Sequence, residues 1–436
     1  MAPTDDRRRR GWRRGWGWRR RSRKQHADPD TASPAGAAAR DRGPTRYRAH
    51  RLRASRSVLL LVVAVVALTV VAAVALAAAL TPRGGGGAGV PAAARSTPAA
   101  AATTGDHTSP APPVAAPPSV TVVSGGDTMA DRRVKTFIQE RGADAVFAGI
   151  APLLRTADVA WVNLESPLTT IDDPWPGKDV HFQGDPRLAT GLADAGVDLV
   201  NMANNHAVDQ GRAGLLDSIR RLERAGVQVV GAGRDAAAAR RPVIVRTSGG
   251  ATVGFLGWAD IIWPGFAAGS AAGVATASPD MSLVEQAIRD LKRRVDYVVV
   301  CFHWGIEYTD TPIASQVAEA HAAVDAGADL VIGHHPHVLQ GVQLYRGRLI
   351  AYSLGDLVFD HYSVATGQTV LVDAVLRPHG VRVTLIPVYA AANGIPAVVT
   401  GAAARGILVH MQRLSAALGT RVTISGDRGY VRSAGA

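Results

Sequence analysis

The stretch "GADLVIGHHPHVLQGVQLYRGRLIAYSLGD", residues 327–356, decides how the rest of this sequence is interpreted. A short apolar run at 329–333 ends in three histidines within four positions, and a second run at 349–355 ends at Asp356. Apolar runs of this length that are bounded by glycine or polar residues predict buried strands. The stretch therefore predicts two strands that each deliver chemically active side chains at their carboxyl ends.

The same texture of short apolar runs and longer helical patterns continues toward the N-terminus. Further strands are predicted at 120–124, 159–163, 197–202, 227–231, 252–258 and 296–302. Helices are predicted around 143–156, 211–225, 282–294 and 313–326. This alternation predicts an α/β domain with buried sheets. Two later runs, 369–376 and 381–390, follow each other without a helix and predict added antiparallel strands.

Donor side chains follow the predicted strands at the point where each strand ends. Because ligands gather at the carboxyl ends of strands in α/β sheets, we expect these side chains to lie close together. They are Asp127, Asn163, Glu165, Asn204, Asn205, His206, Asp209, His303, Glu307, His334, His335, His337 and Asp356. Carboxylate, amide and imidazole donors without cysteine suit Mn²⁺, Zn²⁺ or Fe²⁺ at a site with an open coordination position. Such an ion lowers the pKa of bound water and polarises a substrate oxygen.

Each of these motifs, taken alone, also has a structural explanation. A single Asp after a strand is commonly a turn or helix-capping residue, and the segment 204–206 is compatible with a polar turn. His303 is compatible with a packed imidazole. The joint occurrence at five or six strand ends favours a metal site, in which Pro336 fixes the backbone of the histidine-rich turn.

The net charge of +12 belongs to one end of the chain. Residues 1–56 hold 18 Lys and Arg against 5 acidic residues, a net charge of +13, so the rest of the chain carries a net charge of −1. The predicted domain is therefore nearly neutral, which argues against nucleic-acid binding. We interpret 1–56 as a disordered basic tail.

An apolar segment at 57–80 follows the tail and contains 23 consecutive residues without a charge, from Val58 to Leu80. At about 1.5 Å per residue, a helix of this length spans about 35 Å and crosses a bilayer. Arginines on its N-terminal side predict a single-pass anchor with a cytoplasmic N-terminus and an extracytoplasmic C-terminal part. A cleaved signal peptide is the alternative, but the length of the apolar run and the 57 residues before it favour an uncleaved anchor. The tail is expected to contact anionic lipid headgroups through its arginines and its tryptophans.

Residues 81–118 consist mainly of Gly, Ala, Pro, Ser and Thr. Such a composition cannot bury enough apolar surface to fold and predicts a disordered linker. The single cysteine, Cys301, excludes an internal disulfide and lies in an apolar run, where it is expected to be a small buried side chain.

Five motifs together resemble the CapA family, the capsule or poly-γ-glutamate synthesis proteins. They are "GGDTM" (125–129), "NLESPL" (163–168), "ANNHAVDQG" (203–211), "HWGIEY" (303–308) and the stretch 327–356. The resemblance covers about residues 119–390 and extends to the calcineurin-like metallophosphoesterases. It implies a four-layer αββα sandwich with a metal site at one edge, and leaves 391–436 as a C-terminal extension packed on the domain.

The resemblance also implies roles for individual residues. One or two divalent ions would be held by Asp127, Glu165, Asn205, His303, His335 and His337. His206 would move a proton or contact the substrate. Neighbours of the metal or substrate would be Asn163, Asn204, Asp209, Glu307, His334 and Asp356. The chain departs from the pattern at Met129, where phosphoesterases carry a histidine, and at Asp356, where the family usually carries an asparagine.

The function that the resemblance implies is that of a membrane-anchored, extracytoplasmic protein in capsule or poly-γ-glutamate biosynthesis or attachment. Its substrate would be an anionic polymer or peptide, and its partners would be the membrane-embedded polymer-synthesis machinery. A metal-dependent phosphoesterase or a peptide epimerase is the alternative among enzymes. A non-catalytic polymer-assembly factor is the alternative from another class.

Overall fold

The computed structural model describes residues 116–434 except residues 278 and 362. The predicted basic tail and anchor, and all but the last three residues of the predicted linker, lie outside this part of the chain. Within the described residues, no helix combines the length and apolar character needed to span a bilayer.

The described chain forms an alternating series of strands and helices. The strands are β1 (Val120–Thr128), β2 (Val159–Leu164), β3 (Leu199–Asn201), β4 (Gln228–Val230), β5 (Ala232–Gly233), β6 (Val243–Arg246), β7 (Thr252–Ala259), β8 (Gly273–Val274), β9 (Tyr297–His303), β10 (Leu330–His334), β11 (Val342–Tyr345), β12 (Arg348–Ala351), β13 (Asp356–Val358), β14 (Gln368–Arg377), β15 (Gly380–Ala390), β16 (Pro396–Val398), β17 (Thr423–Ser425) and β18 (Arg428–Arg432). The helices are α1 (Arg132–Arg141), α2 (Ala151–Leu154), α3 (Leu188–Ala195), α4 (Gly211–Ala225), α5 (Ala236–Ala239), α6 (Met281–Lys292), α7 (Ala314–Ala326), α8 (Val364–Gly367) and α9 (Gly401–Ala417), with a 3-10 turn at Asp144–Phe147.

Two large sheets carry the fold. The larger sheet has the order β17-β18-β15-β14-β1-β2-β3-β4, with β13 paired to β1 and β16 paired to β15. The smaller sheet has the order β11-β12-β10-β9-β7-β6. Parallel strands β1 to β4 form one half of the larger sheet, and the parallel strands β7, β9, β10 and β12 form the centre of the smaller sheet. The carboxyl ends of these parallel strands therefore share one edge within each sheet.

Alternation of side chains along the strands places apolar residues on both faces of both sheets. Trp161 of the larger sheet meets Phe255 of the smaller sheet edge to face, with ring centroids 6.1 Å apart, in the core between the sheets. The other face of the larger sheet packs on α1 to α4, and the other face of the smaller sheet packs on α6 and α7. Three apolar interfaces thus lie between four layers, in the order helices, sheet, sheet, helices. This arrangement confirms the predicted α/β sandwich.

Several element boundaries differ from the sequence-based expectation. The predicted helix 143–156 divides into a 3-10 turn and the short helix α2, because Gly149 and Pro152 interrupt it. The predicted strand 349–355 ends at Ala351, and a turn with Gly355 in the left-handed region (φ 71°) carries the chain to the larger sheet. The C-terminal extension both packs on the sandwich through α9 and joins the larger sheet, where β18 pairs with β15.

Candidate metal centre

Strand register places the candidate residues in rows at the sheet ends. In the larger sheet, Asp356, Asp127, Asn163 and Asn201 occupy aligned positions on β13, β1, β2 and β3. In the smaller sheet, His334 of β10 lies opposite His303 of β9. Asn163 Nδ2 donates a hydrogen bond to Asp127 Oδ1 (2.8 Å) and lies 3.4 Å from His303 Nδ1. The two rows therefore meet across the junction of the sheets.

A close backbone contact between β1 and β13 fixes the spacing of the two aspartates. Asp127 N donates to Gly355 O at 3.0 Å. A Cβ atom added to Gly126 would lie 1.9 Å from the same oxygen, so only glycine fits at this position. The glycines of "GGDTM" thus allow the approach that brings Asp127 beside Asp356.

The histidine-rich turn has a strained backbone. His335 and His337 have φ angles of 96° and 56°, and residues other than glycine rarely adopt this backbone region. The turn is held by Asp127 Oδ2, which accepts from His335 N (3.1 Å), and by Pro336 O, which accepts from Tyr308 N (2.8 Å). Strain of about 1–3 kcal/mol per residue persists only where the surroundings enforce it, and it is typical of functional sites.

Three groups of side chains have donor atoms within 4.8 Å of one another and the chemistry of a metal site. The groups are Glu165 with His303 and His335, Asp127 with Glu165 and His337, and Glu307 with His335 and His337. Glu165 Oε1 lies 3.5 Å from His303 Nε2 and 3.8 Å from His337 Nε2. The predicted ligand Asn205 joins them, since its Oδ1 lies 2.8 Å from His303 Nε2.

Unpaired buried donors show that these residues fit a cation. Both carboxylate oxygens of Glu165 and the Nδ1 atom of His335 are buried without a hydrogen-bond partner among the described residues. Asp127 and Asp356 are buried close by. Grouped carboxylates taken out of water are costly without positive charge. A divalent ion with oxygen and nitrogen ligands would give the unpaired Glu165 carboxylate and the His335 imidazole a partner.

Electrostatic coupling shifts the acid–base behaviour of the cluster. Burial and the Asp127 carboxylate raise the pKa of Glu165 well above its usual range. Burial would also raise the pKa of Asp127, but contact with His334 and the charge of His337 lower it below its usual value. Burial raises the pKa of Asp356 to about 6, although the adjacent His337 partly offsets this effect.

The histidines divide into two kinds. Burial, followed by the charge of neighbouring histidines, lowers the pKa of His303 well below its usual value and that of His335 to about 3. Burial also disfavours charge on His337, but Asp356 and Glu165 outweigh it and raise its pKa well above the usual value. Neutral imidazoles at 303 and 335 are in the form that binds metal.

His206 is the centre of a second polar group beside the candidate ligands. Its Nδ1 lies 2.6 Å from Asp209 Oδ2, and burial lowers its pKa to about 4 despite this carboxylate. Lys178 Nζ pairs with Asp209 Oδ1, lies 3.0 Å from His206 Nδ1 and donates to Asn205 O (2.6 Å). Because Nδ1 faces Asp209, Nε2 is the ring nitrogen left for a ligand. Sequence reasoning missed Lys178, which stands in a loop with no motif around it.

The remaining predicted residues hold this framework in place. Asn204 Nδ2 donates to Leu164 O (2.8 Å), and its Oδ1 accepts from His206 N (3.1 Å). His334 Nδ1 lies 3.1 Å from Asp127 Oδ1, but the contact lacks the angle of a hydrogen bond. Glu307 is exposed at the rim, and the structure groups it with the candidate ligands His335 and His337.

Met129, the departure from the phosphoesterase pattern, has a packing role. It is fully buried and belongs to an apolar cluster with Phe182 and Phe359. Its Sδ atom accepts a hydrogen bond from Asp131 N (2.8 Å). In this chain, Met129 therefore packs against Phe182 and Phe359 at the position where phosphoesterases carry a histidine.

A cleft of about 440 Å³ opens beside the cluster. Its lining includes His206, His337, Asp356, Phe182, Phe359 and Arg132. A cleft of this size, with convergent polar groups and apolar side chains in its lining, is typical of a small-molecule binding site.

The fold and the cluster define a class: an α/β sandwich with a carboxylate–imidazole centre at the junction of its two sheets. Residues 121–361, more than half of the chain, match the family model described as "Bacterial capsule synthesis protein PGA_cap". The chain belongs to this family, and the resemblance to the CapA proteins is confirmed.

Curated relatives carry matching names. The chain is 35% identical over 257 residues to the "PGA biosynthesis protein CapA" of Bacillus subtilis, covering 58% of this chain and 67% of that protein. It is 34% identical over 293 residues to the "Capsule biosynthesis protein CapA" of Bacillus anthracis, covering 65% and 70%. It is 32% identical over 234 residues to a "Probable polyglutamine synthesis accessory protein" of Mycobacterium tuberculosis, covering 49% and 59%.

Proposed function

We propose that this protein acts in the synthesis or attachment of a γ-glutamyl capsule polymer through a divalent-metal centre at the junction of its sheets. The observation that carries the proposal is the buried Glu165 carboxylate, whose two oxygens have no hydrogen-bond partner among the described residues. The names of the CapA relatives support the polymer, and the carboxylate–imidazole donor set supports the ion.

In this proposal Asp127, Glu165, His303, His335 and His337 hold the ion, and Asn205 completes the set. A bound divalent ion of the Mn²⁺, Zn²⁺ or Fe²⁺ type supplies polarisation of a carbonyl oxygen and a more acidic water. The candidate ligands come from both sheets, so the sandwich itself sets their spacing. The four-layer order and the ligand types support the finer proposal that the fold is metallophosphoesterase-like.

His206 is the proposed proton-transfer residue. Asp209 accepts from Nδ1 and so fixes the ring and its tautomer, which leaves the Nε2 lone pair toward the cleft. The ring stacks on Phe182, with centroids 4.1 Å apart, so its plane is held as well. A base held in this way serves amide hydrolysis or transfer, and equally proton removal next to a carbonyl.

Anchoring in the cell membrane through residues 57–80 is also part of the proposal. It is supported by the 23-residue uncharged run and by the arginines before it. The basic tail would then contact anionic lipids on the cytoplasmic side, and the metal centre would face the polymer outside the cell, beside the membrane-embedded synthesis machinery.

Metal content tests the centre. The full chain is purified without chelator, and its bound transition metal is compared with that of a His335→Ala/His337→Ala double variant. A His379→Ala/His410→Ala double variant removes two histidines outside the centre and serves as the matched control. We expect metal in the wild type and in the control, and its loss in the His335/His337 variant. A folded wild type that binds no metal would overturn the proposed centre.

Polymer production tests the role of the site. A deletion strain of a polymer-producing host is complemented with wild type or with His206→Ala, and its γ-glutamyl polymer is measured. We expect His206→Ala to fail. Full complementation by His206→Ala would instead indicate a non-catalytic assembly factor. Hydrolysis of p-nitrophenyl phosphate that depends on His206 would favour a phosphoesterase, and deuterium incorporation at a peptide α-carbon would favour an epimerase.

A further inference from the structure

Arg132 is the first residue of α1, and it has a left-handed backbone conformation (φ 51°). Within the described part of the chain, the other non-glycine residues with positive φ are Tyr308, His335, His337 and Arg346. Arg132, Tyr308 and His337 all line the cleft. Backbone strain is therefore concentrated around this cavity, and Arg132 shares it with the histidine turn.

Three side chains hold the guanidinium group of Arg132 in the cleft wall. Its Cζ atom lies 4.9 Å from the ring centroid of Phe182 and 5.3 Å from that of Phe359. Its Nε atom lies 3.2 Å from Oδ1 of Asp360, whose side chain is only 1% exposed. Two aromatic faces and one buried carboxylate orient a group that would otherwise move freely.

The outer nitrogens of the same guanidinium are available. Nη1 and Nη2 make no hydrogen bond to any residue that the structure describes, and the side chain is 38% exposed. Arginine presents its donors as a planar fork that matches a carboxylate with two parallel hydrogen bonds. Arg132 is held by Asp360 at Nε and by the rings of Phe182 and Phe359, so its Nη1 and Nη2 atoms can donate to a ligand.

The guanidinium group of Arg132 lies close to two histidines of the proposed site. Phe182 stacks on His206, and the ring of Phe359 lies 5.0 Å from that of His337, centroid to centroid. One aromatic ring thus separates the guanidinium from each of the two histidines. A ligand in the cleft can contact Arg132 and the centre together.

Charge selects the kind of ligand group. The acidic residues of the cleft lining are Asp356, Asp360 and Glu307, and Arg132 is its permanent cation. An anionic group therefore finds its favourable place at Arg132. In a γ-linked glutamyl chain, each free carboxylate sits one carbon from a backbone amide, which matches an anion subsite beside a carbonyl-polarising centre.

We propose that Arg132 binds the free carboxylate of a glutamyl unit and thereby positions the neighbouring amide bond at the metal centre. The inference rests on the proposed function, because that function supplies the polymer. It makes Arg132 the residue that distinguishes an acidic polymer from a neutral one. Phe182, Phe359 and Asp360 are its positioning residues.

Calorimetric binding of γ-linked tri-glutamate to the full chain, in Mn²⁺ and again in EDTA, tests this subsite. We expect Arg132→Gln to weaken binding about tenfold or more in both conditions, because charge-assisted hydrogen bonds are lost. Arg132→Lys keeps the charge but not the fork, and should fall between wild type and Arg132→Gln. The tri-peptide with amidated carboxyl groups should bind wild type and Arg132→Gln alike.

Matched variants separate the subsite from general charge and from folding. Arg141→Gln removes the same charge from the exposed end of α1 and should bind like wild type. The basic tail is present in every variant, so its attraction for the peptide cancels in the comparison. Arg132→Gln/Asp360→Asn avoids an unpaired buried carboxylate and should show the same loss of binding in a chain that melts like wild type.

The outcomes distinguish this inference from the proposed function. Equal binding of tri-glutamate by wild type and Arg132→Gln overturns the subsite and leaves the metal centre untouched. Loss of binding with Arg132→Gln, together with a folded wild type that holds no metal when purified without chelator, supports the subsite while the metal centre fails. If Arg132→Gln instead weakens phenyl phosphate and not tri-glutamate, the ligand is a phosphate and the carboxylate assignment is wrong.

Discussion

His337 Nδ1 lies 2.8 Å from Asp356 Oδ1, and this contact decides which nitrogen of His337 can bind an ion. The ring donates its Nδ1 hydrogen to the carboxylate, so Nε2, which lies 3.8 Å from Glu165 Oε1, is the nitrogen that would bind an ion in place of its own proton. Carboxylate–histidine pairs of this kind fix the ligand tautomer and raise its basicity. Asp356 would therefore act on the proposed metal centre through His337.

Removing the Asp356 carboxylate should weaken metal binding. Asp356→Asn keeps an oxygen for His337 but loses the negative charge, and Asp356→Ala loses both. We expect metal affinity to fall about tenfold for Asp356→Asn and about a hundredfold for Asp356→Ala. Competition with a metal-binding dye measures both. Asp373→Asn, a half-buried carboxylate of the same sheet, is the control, and equal affinity of all variants would contradict the role of Asp356.

Lys178→Met should destabilise the fold. Lys178 is buried against Asp209, and its loss leaves that carboxylate without its cation, at a cost of about 3 kcal/mol in the free energy of unfolding. The double variant Lys178→Met/Asp209→Asn should recover part of this loss. Lys292→Met serves as the control, because Arg348 still pairs with its partner Asp329. Denaturant titration gives the four values, and a larger loss in Lys292→Met would contradict the prediction.

Gly126→Ala should be strongly destabilising. The added Cβ would meet Gly355 O at 1.9 Å, and neither backbone segment can move without separating β1 from β13. We expect a loss of about 3 kcal/mol and weaker metal binding. Gly406→Ala in α9 meets nothing within 4 Å and should stabilise by up to about 1 kcal/mol. A wild-type melting temperature for Gly126→Ala would refute the close contact.

Glu319 should make stability depend on pH. Burial, followed by the charge of Asp260, raises its pKa from 4.5 to about 7. The folded chain therefore binds a proton that the unfolded chain releases, and the contribution of Glu319 to the free energy of unfolding falls as pH rises between these values.

Glu319→Gln tests this dependence. The advantage of Glu319→Gln over wild type should be near zero at about pH 4 and grow to about 1 kcal/mol by about pH 8, allowing for partial solvent screening. Denaturant titrations at both pH values measure it. Glu140→Gln, an exposed carboxylate change on α1, provides the reference. An advantage that shrinks with rising pH would give the wrong sign.

Strands with an apolar, β-branched run were predictable, including the three-residue strands β3 and β4, whereas an element that forms only through tertiary pairing was not. The β-branched runs at β9 and β10 identify buried strands without any tertiary information. β13 spans only Asp356–Val358 and forms because β1 lies beside it, a contact that no local pattern reports. The sequence also contains a pattern that would have predicted helix α1, because Asp131 caps it and Val134 and Ile138 share one face.

The candidate site divides in the same way. Side chains at strand ends, such as Asp127 and His303, were found because strand direction brings them to one edge. Lys178 and Arg132 were missed because the first lies in a loop and the second begins a helix that was not predicted. Both reach the cleft through tertiary packing alone, against Asp209 and Phe182 respectively.

The backbone contact at Gly126 and Gly355 has a consequence for ion choice. Main-chain atoms fix the backbone of Asp127, a candidate ligand, against that of Asp356, the partner of His337, so neither backbone can shift to follow a change in ionic radius. A larger or smaller ion must then be accommodated by the turn around Pro336. Tyr308, whose backbone N–H donates to Pro336 O, would register that adjustment. The fluorescence of its exposed ring is therefore expected to change with the radius of the ion that is bound.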